Sequence, residues 1–125
     1  MIDHLSLGTA NYAKAVQFYA RSLLPLGLHL QRDTGEEAAY GTDAQWAFFL
    51  YPVEAGTAVT APKMHVALAA PSRTAVQAVH RQALELGAAD LFSPRTRPDI
   101  GPTYFGAMFA DLDGHRIEVL THAPT

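Results

Sequence analysis

Two periods of apolar residues run through the chain. From Met64 to Ala70 the period is two: Met64, Val66 and Leu68 fall on one face, His65, Ala67 and Ala69 on the other. That is the pattern of a half-buried strand. Its bulky face predicts core contact, and its small face leaves open space around one imidazole. Met1–Gly8 repeats the arrangement, with Asp3, Leu5 and Leu7 opposite His4, Ser6 and Gly8. Next, Tyr12, Val16, Tyr19 and Leu23 recur at helical spacing, with Thr9 or Asn11 as cap and an end before Pro25. Strands are predicted over Leu28–Asp33 and Glu36–Gly41, joined by a Thr34-Gly35 turn, and over Gln45–Tyr51. In the last of these, Trp46, Phe48 and Leu50 share the face expected to meet the helix, and Ala47, Phe49 and Tyr51 share the opposite one.

Residues 53–62 are rich in Gly, Ala, Thr and Pro and read as a linker. Beyond the Met64–Ala70 strand, Ser72 caps a second helix with Val76, Val79, Ala83 and Leu86 on its buried stripe and Gly87 at its end. A short strand at Asp90–Ser93, a proline-rich loop over Pro94–Thr103 and a strand over Tyr104–Ala110 follow. A tight Asp111-Leu112-Asp113-Gly114 turn leads to the last strand, Arg116–Thr121.

The order strand, helix, three strands thus occurs twice. Ala15-Val16-Gln17 recurs as Ala75-Val76-Gln77, and Leu26-Gly27 as Leu86-Gly87, at one shared offset. This predicts a single α+β domain of two tandem βαβββ modules, 1–52 and 63–125, joined by the linker. One such unit leaves a sheet face bare. Paired, the modules are expected to form a curved mixed sheet around a cleft, with helices on the outer face.

Composition narrows the function. The chain has 125 residues, 49% hydrophobic and 17% charged, with a net charge of −3, which fits a globular domain with a real core. No basic cluster marks nucleic acid or an anionic membrane as a partner. The absence of cysteine removes disulfides, thiolate ligands and a thiol nucleophile. No signal-like or spanning run is present, and the expected location is cytoplasmic.

Alternation sends His4, Ser6, Ala47, Phe49, Tyr51, His65, Ala67, Ala69, Arg116, Glu118 and Leu120 toward the cleft. Of these, His4, His65 and Glu118 are metal-competent. Two imidazoles and one carboxylate make a facial set that leaves coordination positions open for water or a chelating substrate. Phe49 and Tyr51 can form an aromatic wall for a planar ligand. Trp46 is expected in the core. Arg95 and Arg97 on the loop can hold an anionic group. Tyr104 and His115 are the acid–base candidates, with Tyr104 also a candidate to line the cleft and His115 expected at a solvated turn. His80 is expected on the surface.

The strings Ile2-Asp3-His4-Leu5, Phe18-Tyr19, Leu24-Pro25-Leu26-Gly27-Leu28, His65-Val66-Ala67-Leu68 and Asp111-Leu112-Asp113-Gly114-His115-Arg116-Ile117-Glu118 resemble the vicinal oxygen chelate superfamily. That superfamily comprises glyoxalase I, bleomycin-resistance proteins and extradiol dioxygenases, and the resemblance covers nearly the whole chain. It implies that His4, His65 and Glu118 hold a divalent metal (Fe2+, Mn2+, Ni2+ or Zn2+) that chelates neighbouring oxygens of a small substrate, in a lyase, isomerase or ring-cleaving dioxygenase. It also implies a homodimer. Phe49 stands where glyoxalase I carries a fourth ligand, a glutamate, so the resemblance argues against glyoxalase I itself. The alternative is a metal-free small-molecule-binding protein of the bleomycin-resistance kind.

Overall fold

The computed structural model describes residues 1–125. The first module comprises strand β1 (Leu5–Thr9), helix α1 (Tyr12–Ser22), a short 3-10 turn (Leu24–Leu26), then β2 (His29–Asp33), β3 (Ala38–Gly41) and β4 (Trp46–Pro52). The second repeats it as β5 (Val66–Ala69), α2 (Arg73–Glu85), β6 (Ala89–Thr96), β7 (Phe105–Ala110) and β8 (Arg116–Thr121). The mixed sheet is built as two four-stranded sheets, ordered β1-β4-β3-β2 and β5-β8-β7-β6. In each, the opening strand lies parallel to the last strand of its module, and the remaining pairs are antiparallel.

The registers establish the repeat residue by residue. Ser6 pairs with Phe49 and Phe49 with Ala39, while Ala67 pairs with Glu118 and Glu118 with Met108. His4 and His65 each stand one residue ahead of their strand. Phe49 is therefore the counterpart of Glu118 in the first module, as its position in the sequence implies.

One cluster of 20 buried residues forms the core and draws on both modules. Phe18 meets Phe109 edge-on at 6.0 Å across the module boundary. Beside them the fully buried Tyr19 donates its hydroxyl hydrogen bond to Asp111 Oδ2. Burial raises the Asp111 carboxyl above its ordinary range, partly opposed by hydrogen bonds from Tyr19 and from the backbone N–H groups of His115 and Asp113. Apolar burial at about 25 cal/mol per Å² stabilises this core without direction. The Tyr19–Asp111 bond adds direction, because breaking it would strand a buried acceptor at a cost of about 1–3 kcal/mol.

Helix α2 starts as expected, with Ser72 Oγ accepting from Ala75 N at 3.1 Å. Helix α1 lacks a side-chain cap at Asn11, and Thr9 Oγ1 instead accepts from Asn11 N. After Leu23 the chain makes a 3-10 turn through Pro25 and closes on Gly27 at φ 77°, a left-handed geometry that suits glycine.

Three expectations need correction. Strand β6 runs through Pro94 to Thr96, where a loop was expected. It is an edge strand with two register breaks, the setting in which proline is tolerated in a sheet. Trp46 is 37% exposed and not core. The ladder slips between Tyr40 and Gly41, and Gly41 is crowded by Gln45 and Trp46 backbone, so the alternation breaks there. His80 is buried at 5% exposure, and its Nε2 meets Asp90 Oδ1 at 2.9 Å. No helix is long and apolar enough to cross a membrane.

Candidate functional site

The two modules present unlike groups on their free sheet faces. On the second, His65 Nε2 lies 3.2 Å from Glu118 Oε1. The other carboxylate oxygen, Oε2, accepts from the Tyr104 hydroxyl at 2.9 Å. Tyr104 reaches it because its ring lies over Gly106: a Cβ on that glycine would sit 2.4 Å from the Tyr104 oxygen. Burial first, and the hydrogen bond to Glu118 second, push the Tyr104 hydroxyl up to about 12, so it remains a proton donor at neutral pH. The His65 side chain is 42% exposed and the Glu118 side chain 13%. The imidazole is therefore accessible while its carboxylate partner is held from behind.

On the first module, His4 Nδ1 donates to Asp3 Oδ1 at 2.7 Å. A carboxylate on one ring nitrogen leaves the other, Nε2, facing away from Asp3, the arrangement by which proteins orient a metal-binding imidazole. Gln45 Nε2 anchors the same segment by donating to the Asp3 carbonyl. The His4 ring stands edge-on to Phe49 at 5.2 Å, and Phe49 lies nearly parallel to Tyr51 at 6.4 Å. Two aromatic rings thus stand side by side next to His4.

Within one chain these halves do not merge. No group of three or more His, Asp or Glu side chains gathers where it could hold an ion. His65 and Glu118 meet, and His4 stays with Asp3 on the other sheet. The pair that does meet has suitable chemistry: one imidazole nitrogen and one carboxylate oxygen, 3.2 Å apart, close to the spacing of neighbouring ligands whose metal bonds are ~2.1 Å. With Tyr104 holding Oε2, Oε1 is the oxygen placed beside the imidazole.

The other candidates take different places. His115 is buried, and its Nε2 donates to the Gly8 carbonyl at 2.8 Å. It ties the turn before β8 to β1 across the modules, so His115 is buried where a solvated turn was expected. Arg97 is tied to Asp99 by two bonds of 2.9 and 2.7 Å, an interaction that raises the guanidinium further. Arg95 stacks over Phe92 at 4.7 Å and has no carboxylate partner. Sequence reasoning missed Asp3 as the partner of His4 and Gly106 as the seat of the Tyr104 ring. The first was legible as an adjacent acid–imidazole pair. The second was not, because a glycine in an alternating strand carries no sign of what lies over it.

A family model described as the Glyoxalase/Bleomycin resistance protein/Dioxygenase superfamily matches residues 1–119. Among solved structures, a glyoxalase/bleomycin resistance protein from Albidiferax ferrireducens superposes with a TM-score of 0.83 at 22% identity, over 95% of this chain and 97% of that one. A glyoxalase/bleomycin resistance protein/dioxygenase family enzyme from Burkholderia phytofirmans gives 0.72 at 13% identity, over 98% of each chain. A glyoxalase I mutant from Zea mays gives 0.72 at 21% identity, over 95% of this chain and 46% of that one. No curated protein sequence matches the chain.

Proposed function

The chain belongs to the glyoxalase/bleomycin resistance protein/dioxygenase superfamily, and from that premise we propose that it is a divalent-metal-dependent enzyme acting on a small, oxygen-rich substrate. The observation that carries this reading is the approach of His65 Nε2 to Glu118 Oε1 at 3.2 Å, with Tyr104 holding the second carboxylate oxygen. When bound, the ion would supply Lewis-acid stabilisation of charge developing on two neighbouring substrate oxygens. The chain's own groups do the rest. His65 and Glu118 hold the ion from one side. Tyr104 fixes the carboxylate and keeps a proton near the site. Phe49 and Tyr51 offer apolar surface to the substrate and exclude water.

His4 completes the set from a second copy of the chain. Each chain carries one of the three ligands on its first module and two on its second, and a two-fold pair returns His4 of each protomer to the His65–Glu118 pair of the other. The reaction is a lyase, isomerase or ring-cleaving oxygenation, and the cytoplasm is its proposed site. Phe49, in place of a fourth ligand, sets it apart from glyoxalase I. That same phenylalanine favours a second reading, a metal-free binder in which Phe49 and Tyr51 stack on a planar ligand.

Metal content separates the two. Protein purified without chelator is expected to hold a divalent ion, and His65→Ala to hold none. His4→Ala and Glu118→Gln should each fail alone, yet recover binding when mixed and allowed to exchange subunits, since each mixed dimer then has one intact site. An unmixed parent that stays empty with Fe2+, Mn2+, Ni2+ and Zn2+ defeats the enzyme reading and leaves the binder.

A further inference from the structure

A cavity of about 650 Å³ opens at the seam between the modules. Its walls are β1 at Ser6–Gly8, the linker end Val59–Lys63, and the turn into β8 at Gly114–Arg116, with His65 at one side. The volume suits a small organic ligand. Its charge is one-sided. Lys63 and Arg116 line it, no carboxylate does, and neither cation takes part in an ion pair. Two unpaired cations in a concave site draw anions out of solvent, and here they do so against a chain whose net charge is −3. The hydroxyls of Ser6 and Thr60 add neutral donors.

Lys63 has a second peculiarity. It is the one residue other than glycine with a positive φ, 68°. A lysine there carries backbone strain, and its side chain is exposed and gains nothing from packing. Strain held at the mouth of a cavity, on a cation without a partner, is what a ligand-binding position would show.

We propose that this seam cavity binds the oxyanion head group of a small organic acid, with Arg116 as the planar fork and Lys63 as the point charge. His65 is shared between the cavity and the His65–Glu118 pair, so a bound acid has its remaining oxygens directed toward the ligating groups. The assignment of this acid as the substrate rests on the metal-enzyme reading. The anion site itself does not.

The test is calorimetric titration of the full chain, stripped of metal and then dialysed free of chelator, using benzoate and phenylphosphonate as probes. Saturable binding of at least one probe, weakened by added salt, is expected, and which one binds identifies a carboxylate or a phosphorus oxyanion as the head group. Lys63→Gly and Arg116→Gln should each weaken binding about tenfold, while Arg21→Gln, on the outer helix face, leaves it unchanged. Lys63→Gly should also raise the unfolding midpoint, since glycine accepts the left-handed backbone, so lost binding cannot be put down to lost fold. No saturable binding of either probe, or binding indifferent to both substitutions, overturns the proposal. A parent that holds metal but no probe sinks only the anion site, and a parent that binds probe but never metal sinks only the enzyme.

Discussion

The two modules share one backbone plan and differ in what they do with a glutamate. Each pairs a tyrosine hydroxyl with a carboxylate on the free sheet face: Tyr51 with Glu37 Oε2 in the first, Tyr104 with Glu118 Oε2 in the second, both at 2.9 Å. In the first module the remaining oxygen of Glu37 faces Arg32 at 3.6 Å, so the charge is already answered. In the second it faces His65 at 3.2 Å, a partner that offers a lone pair as readily as a proton. A metal-competent site therefore depends on the carboxylate's second neighbour more than on the carboxylate itself. The difference continues beside it, where Phe49 occupies the register position of Glu118 and gives the first module an aromatic surface.

Removing each carboxylate in turn should separate the two modules most strongly. Glu118→Gln should weaken divalent-metal affinity more than about hundredfold, since loss of an outer-shell partner alone costs 10- to 100-fold. Glu37→Gln should leave metal affinity unchanged, as read by competition with a fluorescent chelator. Next in size, Phe49→Glu would make the modules alike and add a fourth ligand. Metal affinity should rise by about tenfold, and a fall would mean that Phe49 does not face the ion. Third, Gly106→Ala must push the Tyr104 hydroxyl aside, given the 2.4 Å approach. Metal affinity should drop about tenfold through loss of the outer-shell bond to Glu118, and Tyr104→Phe should reproduce that drop without the steric clash.

The smallest effects concern pH. The Tyr12 hydroxyl lowers the Asp33 carboxyl in the first module, and the His80 hydrogen bond lowers Asp90 in the second. A depressed carboxyl contributes stability above its ordinary pKa of about 3.9, and that stability is lost as pH falls through the folded value. Asp111 has the opposite sign. Its raised carboxyl favours the fold below that ordinary value, and the contribution is lost as pH rises through the folded one. Asp90→Asn should thus flatten the acid side of a stability–pH curve measured by urea unfolding. The change should be small, because Asp90 is 42% exposed and solvent screens it.

Much of this was legible along the chain. Period-two alternation put His65 and Glu118 on one face, and the strand registers match that assignment. The repeated strings predicted two modules, and the registers make Phe49 the counterpart of Glu118. Where alternation failed, at Trp46, a slip in the ladder was responsible, and β6 outran its expected end because an edge strand tolerates Pro94. His80 and His115 were misjudged for another reason: their partners lie on other elements, Asp90 on β6 for one and the Gly8 carbonyl on β1 for the other.

The sequence alone determined the element order and most of the core faces, Trp46 and Met64 excepted, because periodicity is a local property that hydrophobic burial enforces strand by strand. Only the tertiary structure decided which side chains meet. It brought His65 and Tyr104 to the same carboxylate, kept His4 with Asp3, and opened a cationic cavity between β1 and β5. Such meetings depend on how two sheets and their helices pack, and that packing is set by a core shared between the modules.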